Sequence, residues 1–277
     1  MVDPKLVFII PYRDRELQKN IFIEKMKEHL IDIDPLDYRF FFIHQCDTRI
    51  FNRGALKNIG YIVIKNAYPY TYKNITLCFN DVDTIPNFKG LITDYSTVEG
   101  VIKHFYGYKF TLGGIVSINA NDFERINGYP NYWAWGYEDN MLYNRAVSDG
   151  ITIDRSIFYK IDDLRITQIN DSPLRIVNKV EFLKYVSKDN EGITDISNLN
   201  YKLDDMNVDV LSFTTKYLPN PESNIEYDTR STHPPFHIPT RRRGGGLTVI
   251  NKSQPRNDEE YIRTIPTTRV FSMNFIK

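Results

Sequence analysis

Short apolar runs alternate, over the first eighty positions, with segments in which apolar residues recur at helical spacing. Such runs are typical of buried strands, and recurrence every three to four residues is typical of an amphipathic helix. In the first helical segment the recurring positions are Leu17, Ile21, Met26 and Leu30. The predicted elements are strand 5–11, helix 14–31, strand 38–45, helix 52–67 and strand 74–80.

The order of these elements predicts a parallel sheet with helices on its faces. Ligands of such sheets bind beyond the carboxyl ends of the strands. The charged segments PYRDR, QCDTRIFNR and NDVD follow the three strands. We therefore expect them to meet in one crevice.

Residues 109–150 predict a second group of elements. Leu112–Ile118 has the composition of a strand, and its two glycines allow a ligand or another backbone to approach closely. A short helix is expected over 119–128. Both tryptophans of the chain then lie in YWAWGYED, directly before a helix that runs to Gly150.

Composition indicates a globular protein without a strong overall field. The 277 residues are 42% apolar, enough for one large domain or two small ones. Lys plus Arg and Asp plus Glu both number 35. No net charge is available to draw the molecule to nucleic acid or to an anionic membrane, so neither is an expected partner.

The cysteines and the N-terminus favour a soluble, cytoplasmic protein. Cys46 and Cys78 each lie in an apolar stretch that predicts a strand, without a CxxC motif or a framework of pairs. No apolar run approaches the ~18 to 20 residues of a membrane helix, and residues 1–5 contain no signal-peptide core. A reducing compartment and no membrane span are therefore expected.

The charges at the predicted strand ends are complementary. Arginine side chains in the first two segments present planar donors for an anion. Asp81 and Asp83 offer hard oxygen ligands for a divalent cation, although aspartates also cap turns in this way. A metal-bound diphosphate satisfies both groups, and the absence of GxGxxG and Walker sequences disfavours a dinucleotide or P-loop site.

Glu138 and Asp139 open the helix after the aromatic segment. Acids there stabilise the helix dipole. A carboxylate beside an aromatic wall is also suited to stack a sugar ring and take a proton from its hydroxyl. The two interpretations are compatible.

Taken together, IIPYRDR, IFNRGALKNIG, NDVD, GGIVSINANDFERINGYPN and YWAWGYED resemble, in order and spacing, the beta-1,4-galactosyltransferase family of inverting glycosyltransferases. The likeness spans residues 6–171, with a fainter echo at 191–203. It implies an α/β fold of the GT-A nucleotide-sugar-binding type, with a mostly parallel central sheet flanked by helices. It also implies transfer of Gal, GalNAc or GlcNAc from a UDP-sugar to a hydroxyl of a saccharide or glycoconjugate acceptor, forming a beta linkage.

The same resemblance implies roles for individual residues. Asp139 is the expected base, next to Glu138, and Trp135 is expected on a mobile loop touching donor and acceptor. Asp83 is the expected metal ligand, with Mn²⁺ favoured and Mg²⁺ as an alternative. The expected donor site contains Pro11, Tyr12, Arg13, Arg15, Phe51, Arg53, Asp81, Val82, Asp83, Thr111 and Gly114. The expected acceptor site contains Tyr108, Trp135, Asp139 and Asn140.

Three positions depart from the family pattern. Gln168 stands where the family has a metal-binding His, so weaker or altered Mn²⁺ dependence is expected. Asn140 replaces an acid after the base, which leaves the acceptor open. Thr111 replaces a bulky aromatic residue and indicates a roomier donor pocket.

Residues 221–277 differ in character from the predicted catalytic domain, 1–220. They hold six of the fourteen prolines, without clear periodicity. The favoured interpretation is an extended arm packed on the domain or on a partner subunit, possible in a homo-oligomer. A polyanion contact through Arg241–Arg243 is the alternative.

Two other functions remain open. The changes at Gln168 and Asn140 are compatible with a UDP-sugar-binding protein that has lost turnover. A metal-dependent nucleotidyltransferase uses the same kind of fold, although an aromatic wall beside Asp139 is less suited to a sugar phosphate.

Overall fold

The computed structural model describes residues 3–169 and 172–237, together with two short strands at 240–241 and 247–248. Within these residues the helices are α1 (Glu16–His29), α2 (Arg53–Ala67), α3 (Ala120–Arg125), α4 (Glu138–Ser148) and α5 (Lys179–Ser187). The strands are β1 (Leu6–Tyr12), β2 (Tyr38–Gln45), β3 (Thr76–Asn80), β4 (Thr84–Pro86), β5 (Val101–Gly107), β6 (Ile115–Asn119), β7 (Thr152–Asp154), β8 (Tyr159–Lys160), β9 (Ile166–Gln168), β10 (Leu174–Asn178), β11 (Ser197–Asp204), β12 (Asn207–Thr214), β13 (Asn224–Asp228), β14 (Thr240–Arg241) and β15 (Leu247–Thr248).

Over the described residues, nine strands form a mixed central sheet in the order β11, β12, β2, β1, β3, β6, β5, β7, with β8 beside β5. The first three strands pair in parallel through β1, as the strand and helix order predicts. β12 also joins β2 in parallel, whereas β6, β5 and β11 introduce antiparallel pairs. The predicted α/β fold with flanking helices is confirmed.

Strand β1 is buried along its whole length. Val7 and Ile9 face a core that includes α2, whereas Phe8 and Ile10 face the core that receives α1. Successive strand side chains point to opposite faces, so a continuous apolar run is required where helices cover both sides. β1 therefore lies between α1 on one face of the sheet and α2 on the other.

Two details of the predicted elements are wrong. Leu17 is 68% exposed, and the buried face of α1 carries Phe22 and Met26. The five-residue step from Ile21 to Met26 turns about 140° around a helix, so the predicted residues never formed one stripe. The strand expected over Leu112–Ile118 begins only at Ile115, because Gly114 before it has a left-handed backbone with φ +77°.

Cys46 does not lie inside a strand, since it follows the end of β2 and is exposed. Cys78 is buried in β3, and both cysteines are free thiols. No helix in the described part of the chain combines the length and apolar character needed to cross a bilayer.

Residues beyond the predicted boundary at 220 contribute to the described structure. β13 pairs antiparallel with β10, and the Phe236 ring stacks on Phe182 of α5 at 5.4 Å. Arg241 lies in β14, while Arg242 and Arg243 fall outside the described residues. The domain boundary and the role of the arm stay predictions.

Buried amides fasten the aromatic segment to α2. Asn58 Nδ2 donates to the Tyr129 carbonyl at 2.7 Å and to Asn131 Oδ1 at 2.9 Å. Asn52, which caps α2, donates to the Asn131 carbonyl at 3.0 Å. At Gly54 a Cβ atom would lie 2.0 Å from the Pro130 carbonyl oxygen. The first turns of α2 therefore pack directly against the backbone of residues 129–131, and no space is left for a side chain at Gly54.

Gly54→Ala should destabilise the protein by about 1–3 kcal/mol, because the added methyl must displace backbone. Without this contact the same change in a helix would stabilise by up to about 1 kcal/mol, so the sign is informative. Urea unfolding followed by circular dichroism measures it. Lys27→Ala, at an exposed position of α1, is the control and should stay within about 0.5 kcal/mol. A stabilised Gly54→Ala protein would contradict the packing.

Candidate active site

Arg53, the first residue of α2, draws three carboxylates together at the carboxyl edge of the sheet. Its Nη2 lies 2.8 Å from Asp139 Oδ2, and its Nε donates to Glu138 Oε1 at 2.8 Å. Its Nη1 lies 3.3 Å from Asp81 Oδ2. The end of β3 and the start of α4 thus meet at one guanidinium. The strand-end argument predicts the approach of Arg53 to Asp81, but not the participation of α4.

Lys57 adds a second positive charge that the sequence reasoning missed. Its side chain has no solvent exposure, its Nζ donates to Asp139 Oδ1 at 3.1 Å, and the ammonium lies 4.3 Å from the centre of the Tyr129 ring. Arg53 and Lys57 are four residues apart, so they share one face of α2. That spacing, directly after the FN of the motif, is the signal that could have identified it.

The surroundings move the pKa values of the two acids of α4 in opposite directions. Burial alone raises the pKa of Asp139, but the charges of Lys57 and Arg53 outweigh it and the net pKa is lowered. Burial raises the pKa of Glu138 beyond what Arg53 offsets. The Asp139 side chain keeps 17% exposure against 3% for Glu138. Of these two acids, Asp139 is therefore the ionised one that solvent can reach.

Asp83 lies where a cation is favoured. Burial first, and the neighbouring charge of Asp81 second, raise its pKa, while the hydrogen bond from Thr84 and the charges of Arg53 and Arg15 offset this only in part. β4 pairs with β9 so that Thr84 faces Gln168, which brings the Gln168 backbone beside the residue that follows Asp83. Carboxylate and amide oxygens are suitable ligands for Mg²⁺ and Mn²⁺, so the residues present fit a hard divalent ion.

The segment after β1 makes contacts of its own. Arg13 Nη1 donates to the Arg49 carbonyl at 2.5 Å, and the guanidinium lies 5.6 Å from the Phe51 ring centre. Tyr12 stacks on His44 at 4.8 Å and its hydroxyl accepts from Lys19. Arg13 thus braces the loop that leads to Arg53. The donor roles predicted for Pro11, Tyr12, Arg13, Arg15 and Phe51 stay predictions.

The glycine pair before β6 lies directly against Asp139. At Gly113 a Cβ atom would be 2.2 Å from Asp139 Oδ2, and Gly114 has φ +77°. Buried His104, which the sequence reasoning missed, donates through Nε2 to the Gly113 carbonyl at 3.1 Å. Burial lowers the pKa of His104 to about 4, so the ring is neutral and can accept from Arg155 at Nδ1. The Gly113 backbone is thereby held close to Asp139, where any side chain at position 113 would collide with the carboxylate.

The two tryptophans of the aromatic segment have different environments. Trp133 is buried, stacks on Phe213 at 5.5 Å and donates to Thr215 Oγ1 at 2.9 Å. Trp135 is partly exposed, and its backbone N–H bonds the Ile176 carbonyl. Gly136 follows with φ +102°. Of the two tryptophans, Trp135 is the one that solvent can reach.

The other predicted acceptor residues, Tyr108 and Asn140, make local contacts with the segment 108–111. Tyr108 is 41% exposed, and its carbonyl accepts from the Thr111 hydroxyl at 3.1 Å. Asn140 Nδ2 lies 3.4 Å from the Phe110 carbonyl. Val82 is buried. The structure therefore joins Arg53, Asp81, Glu138 and Asp139 directly, whereas the contacts of Tyr12, Arg13 and Tyr108 are with other residues.

Two family models match the chain. Residues 2–91 match the N-terminal region of glycosyl transferase group 7, and residues 95–168 match the N-terminal domain of galactosyltransferase. Beta-1,4-galactosyltransferase 1 of Homo sapiens is 33% identical over 165 residues, which are 54% of this chain and 39% of the relative. Beta-1,4-galactosyltransferase 5 of Sus scrofa is 29% identical over 213 residues, which are 71% and 51%. The chain thus spans about half the length, or less, of these relatives.

The fold is also that of a solved glycosyltransferase. The catalytic domain of Drosophila beta-1,4-galactosyltransferase 7, in complex with xylobiose, superposes with a TM-score of 0.57 at 20% identity, covering 75% of this chain and 94% of that one. A mutant of the same enzyme in complex with manganese, UDP-Gal and xylobiose gives a TM-score of 0.55 at the same identity and coverage.

Lys57→Met should lower the free energy of unfolding by about 3–5 kcal/mol, because it leaves a buried carboxylate with one cation instead of two. Adding Asp139→Asn should cost less than the sum of the single changes, since the charge that Lys57 neutralises is then gone. Denaturant titration of both single variants and the double variant measures this coupling.

Lys5→Met is the matched control, because Lys5 pairs with Asp37 while 75% exposed. It should cost no more than about 1 kcal/mol. Additive effects of Lys57→Met and Asp139→Asn would contradict a direct interaction between the two side chains.

Proposed function

Because the chain belongs to the beta-1,4-galactosyltransferase family, we propose that it is an inverting glycosyltransferase. It transfers a hexose or N-acetylhexosamine from a UDP-sugar to a hydroxyl of a sugar acceptor and forms a beta linkage. The observation that carries the proposal is the convergence of Asp81, Glu138 and Asp139 on Arg53 at the strand ends. The names of the relatives, and the UDP-Gal and xylobiose bound by the solved neighbour, support this class of donor and acceptor.

The donor site lies along the carboxyl ends of β1 and β3. The residues assigned to the UDP moiety are Pro11, Tyr12, Arg13, Arg15, Phe51, Arg53 and Val82. Asp81 is assigned to the ribose or the donor sugar. Thr111 and Gly114 are assigned to the same donor pocket. Thr111 leaves more room than an aromatic residue, so Gal, GalNAc and GlcNAc are all candidate donor sugars.

Asp83 and Gln168 are assigned to a divalent cation, Mn²⁺ or Mg²⁺. The manganese of the solved neighbour supports this assignment. A cation held there supplies positive charge that makes the diphosphate a better leaving group. The raised pKa of Asp83 supports it independently, because burial and Asp81 leave that carboxyl short of positive charge.

Asp139 is assigned as the general base. Arg53 holds its Oδ2 and Lys57 its Oδ1, which fixes the carboxylate in orientation and keeps it ionised. It takes the acceptor proton as the acceptor oxygen bonds to the anomeric carbon, and the bond from that carbon to the diphosphate oxygen breaks. Attack from the face opposite the leaving group inverts the carbon. Glu138 contributes by holding Arg53 in place.

Trp135 is assigned to both substrates, with Gly136 as the hinge of its loop. Closing this loop excludes water, which strengthens the electrostatic interactions inside the pocket. Tyr108 and Asn140 complete the acceptor side. The acceptor is a saccharide or glycoconjugate. A cytoplasmic location and a homo-oligomer formed through the C-terminal arm stay predictions.

Asp139→Asn should reduce UDP release from a panel of UDP-sugars by about 10²- to 10⁴-fold, because general base catalysis contributes that much. Binding of UDP, measured by calorimetry, should remain. Asp32→Asn, whose side chain is 75% exposed, is the control and should leave turnover unchanged. Full transfer by Asp139→Asn would reject this residue as the base.

The panel also separates the alternatives. UDP-sugar binding without UDP release, across both metals and varied acceptors, would indicate a protein that has lost turnover. Release of pyrophosphate from UTP and a sugar phosphate would indicate a nucleotidyltransferase instead.

Gln168→His should increase the apparent Mn²⁺ affinity several-fold while changing that for Mg²⁺ little, because imidazole suits the softer ion. Each metal is titrated while UDP release, or the thermal midpoint with UDP present, is recorded. The two titrations give the ratio of the apparent affinities for Mn²⁺ and Mg²⁺. Thr167→His places the same ring on the opposite side of β9 and is the matched control. Equal changes for both metals, or the same effect from the control, would contradict ligation by residue 168.

A further inference from the structure

Three side chains of different chemistry meet beside the parallel pair formed by β2 and β12. The pairing places Asp209 opposite His44, and Cys46 follows two residues later. His44 Nδ1 lies 3.1 Å from Asp209 Oδ1 and 3.5 Å from Cys46 Sγ. Their ligand atoms all lie within 4.8 Å of one another.

The arrangement does not suit a proton relay. A relay through histidine uses one ring nitrogen toward the nucleophile and the other toward the acid. Here Cys46 and Asp209 both approach Nδ1 of His44. Nδ1 carries at most one proton, so it cannot exchange protons with both groups at once. A cation placed between the three atoms can instead bond to all three.

Two of the three separations between ligand atoms agree with those of a tetrahedral metal centre. Zinc bonds of about 2.3 Å to sulfur and about 2.0–2.1 Å to nitrogen or oxygen place sulfur and nitrogen ~3.5 Å apart, and nitrogen and oxygen ~3.3 Å apart. The observed separations from Nδ1 are 3.5 Å to sulfur and 3.1 Å to oxygen. The sulfur and the carboxylate oxygen lie within 4.8 Å of each other, and a shared ion requires about 3.5 Å, which rotation of the solvent-accessible Cys46 and Asp209 side chains would supply.

We propose that His44, Cys46 and Asp209 bind a zinc-type transition-metal ion, with a fourth position open to water. Thiolate, imidazole and carboxylate are a donor set for Zn²⁺ or Co²⁺, whereas Mg²⁺ avoids sulfur. Thiolate and carboxylate together neutralise a divalent ion. The side chains of His44 and Asp209 are 29% and 47% exposed and Cys46 is exposed, so an ion can enter from solvent.

The site differs in chemistry from the oxygen ligands assigned around Asp83. Its metal would tie the end of β2 to β12, and it would fix the His44 ring on which Tyr12 stacks at 4.8 Å. The proposal does not depend on glycosyl transfer, because it rests on donor atoms that the transfer mechanism does not use.

Cobalt binding to the full chain tests the proposal. The protein is stripped of metal with a chelator, kept reduced, and titrated with Co²⁺ while absorption is recorded. We expect a thiolate-to-cobalt charge-transfer band that saturates at one ion per chain, is displaced by Zn²⁺ and resists excess Mg²⁺. The band should disappear in Cys46→Ser, and Asp209→Asn should weaken binding at least tenfold. Circular dichroism checks that these surface variants fold.

Two controls complete the experiment. Cys78→Ala removes the buried thiol, and Asp83→Asn removes the assigned oxygen ligand; both should keep the band. Absence of a band in the folded protein, its persistence in Cys46→Ser, or unchanged affinity in Asp209→Asn would each overturn the proposal. Since the readout is absorption, the outcome is independent of whether the protein transfers sugars.

Discussion

The ion cluster around Arg53 is the interaction on which the candidate site depends. One guanidinium faces carboxylates from the end of β3 and from the first turn of α4. Buried charges cost several kcal/mol each unless they are paired, so removing any member leaves the others exposed to that cost. The same contacts that assemble the site therefore also fix the positions of α2, β3 and α4 relative to one another. Chemistry and stability share these atoms.

The succession of strands and helices along residues 5–80 could be predicted from the sequence, because it follows from local pattern. The expectation that the charged segments after these strands meet follows from the parallel connection rule. The partners of β12 could not, since pairing with β2 joins residues more than 160 positions apart and leaves no local signal. Lys57 was missed for a related reason. A lysine on a helix is ordinarily exposed, and only the distant Asp139 explains an ammonium with no exposure.

The aromatic segment shows where composition stops being informative. Trp133 and Trp135 are two residues apart in the same motif, yet the first lies in the core against Phe213 and only the second remains partly exposed. What separates them is the path of the backbone, which the Asn58 contacts fix and which passes through a left-handed Tyr137 at φ 72°. A non-glycine residue costs energy in that conformation, so the surrounding contacts must impose it. This conformation lies two residues before Asp139, the residue proposed as the base.

The directions of the pKa shifts divide the carboxylates by the positive charge that reaches them. Lys57 and Arg53 bracket Asp139 closely enough to overcome its burial, and its pKa is lowered. Asp83 is also buried, but there Arg53 and Arg15 offset only part of the penalty and Asp81 adds to it. An acid that the protein's own cations already satisfy remains ionised, which is the state that a base requires. An acid left short of positive charge is suited to receive a cation from outside the chain. Environments that move neighbouring acids apart are how one pocket supports two roles, and here the difference arises from a single turn of α2.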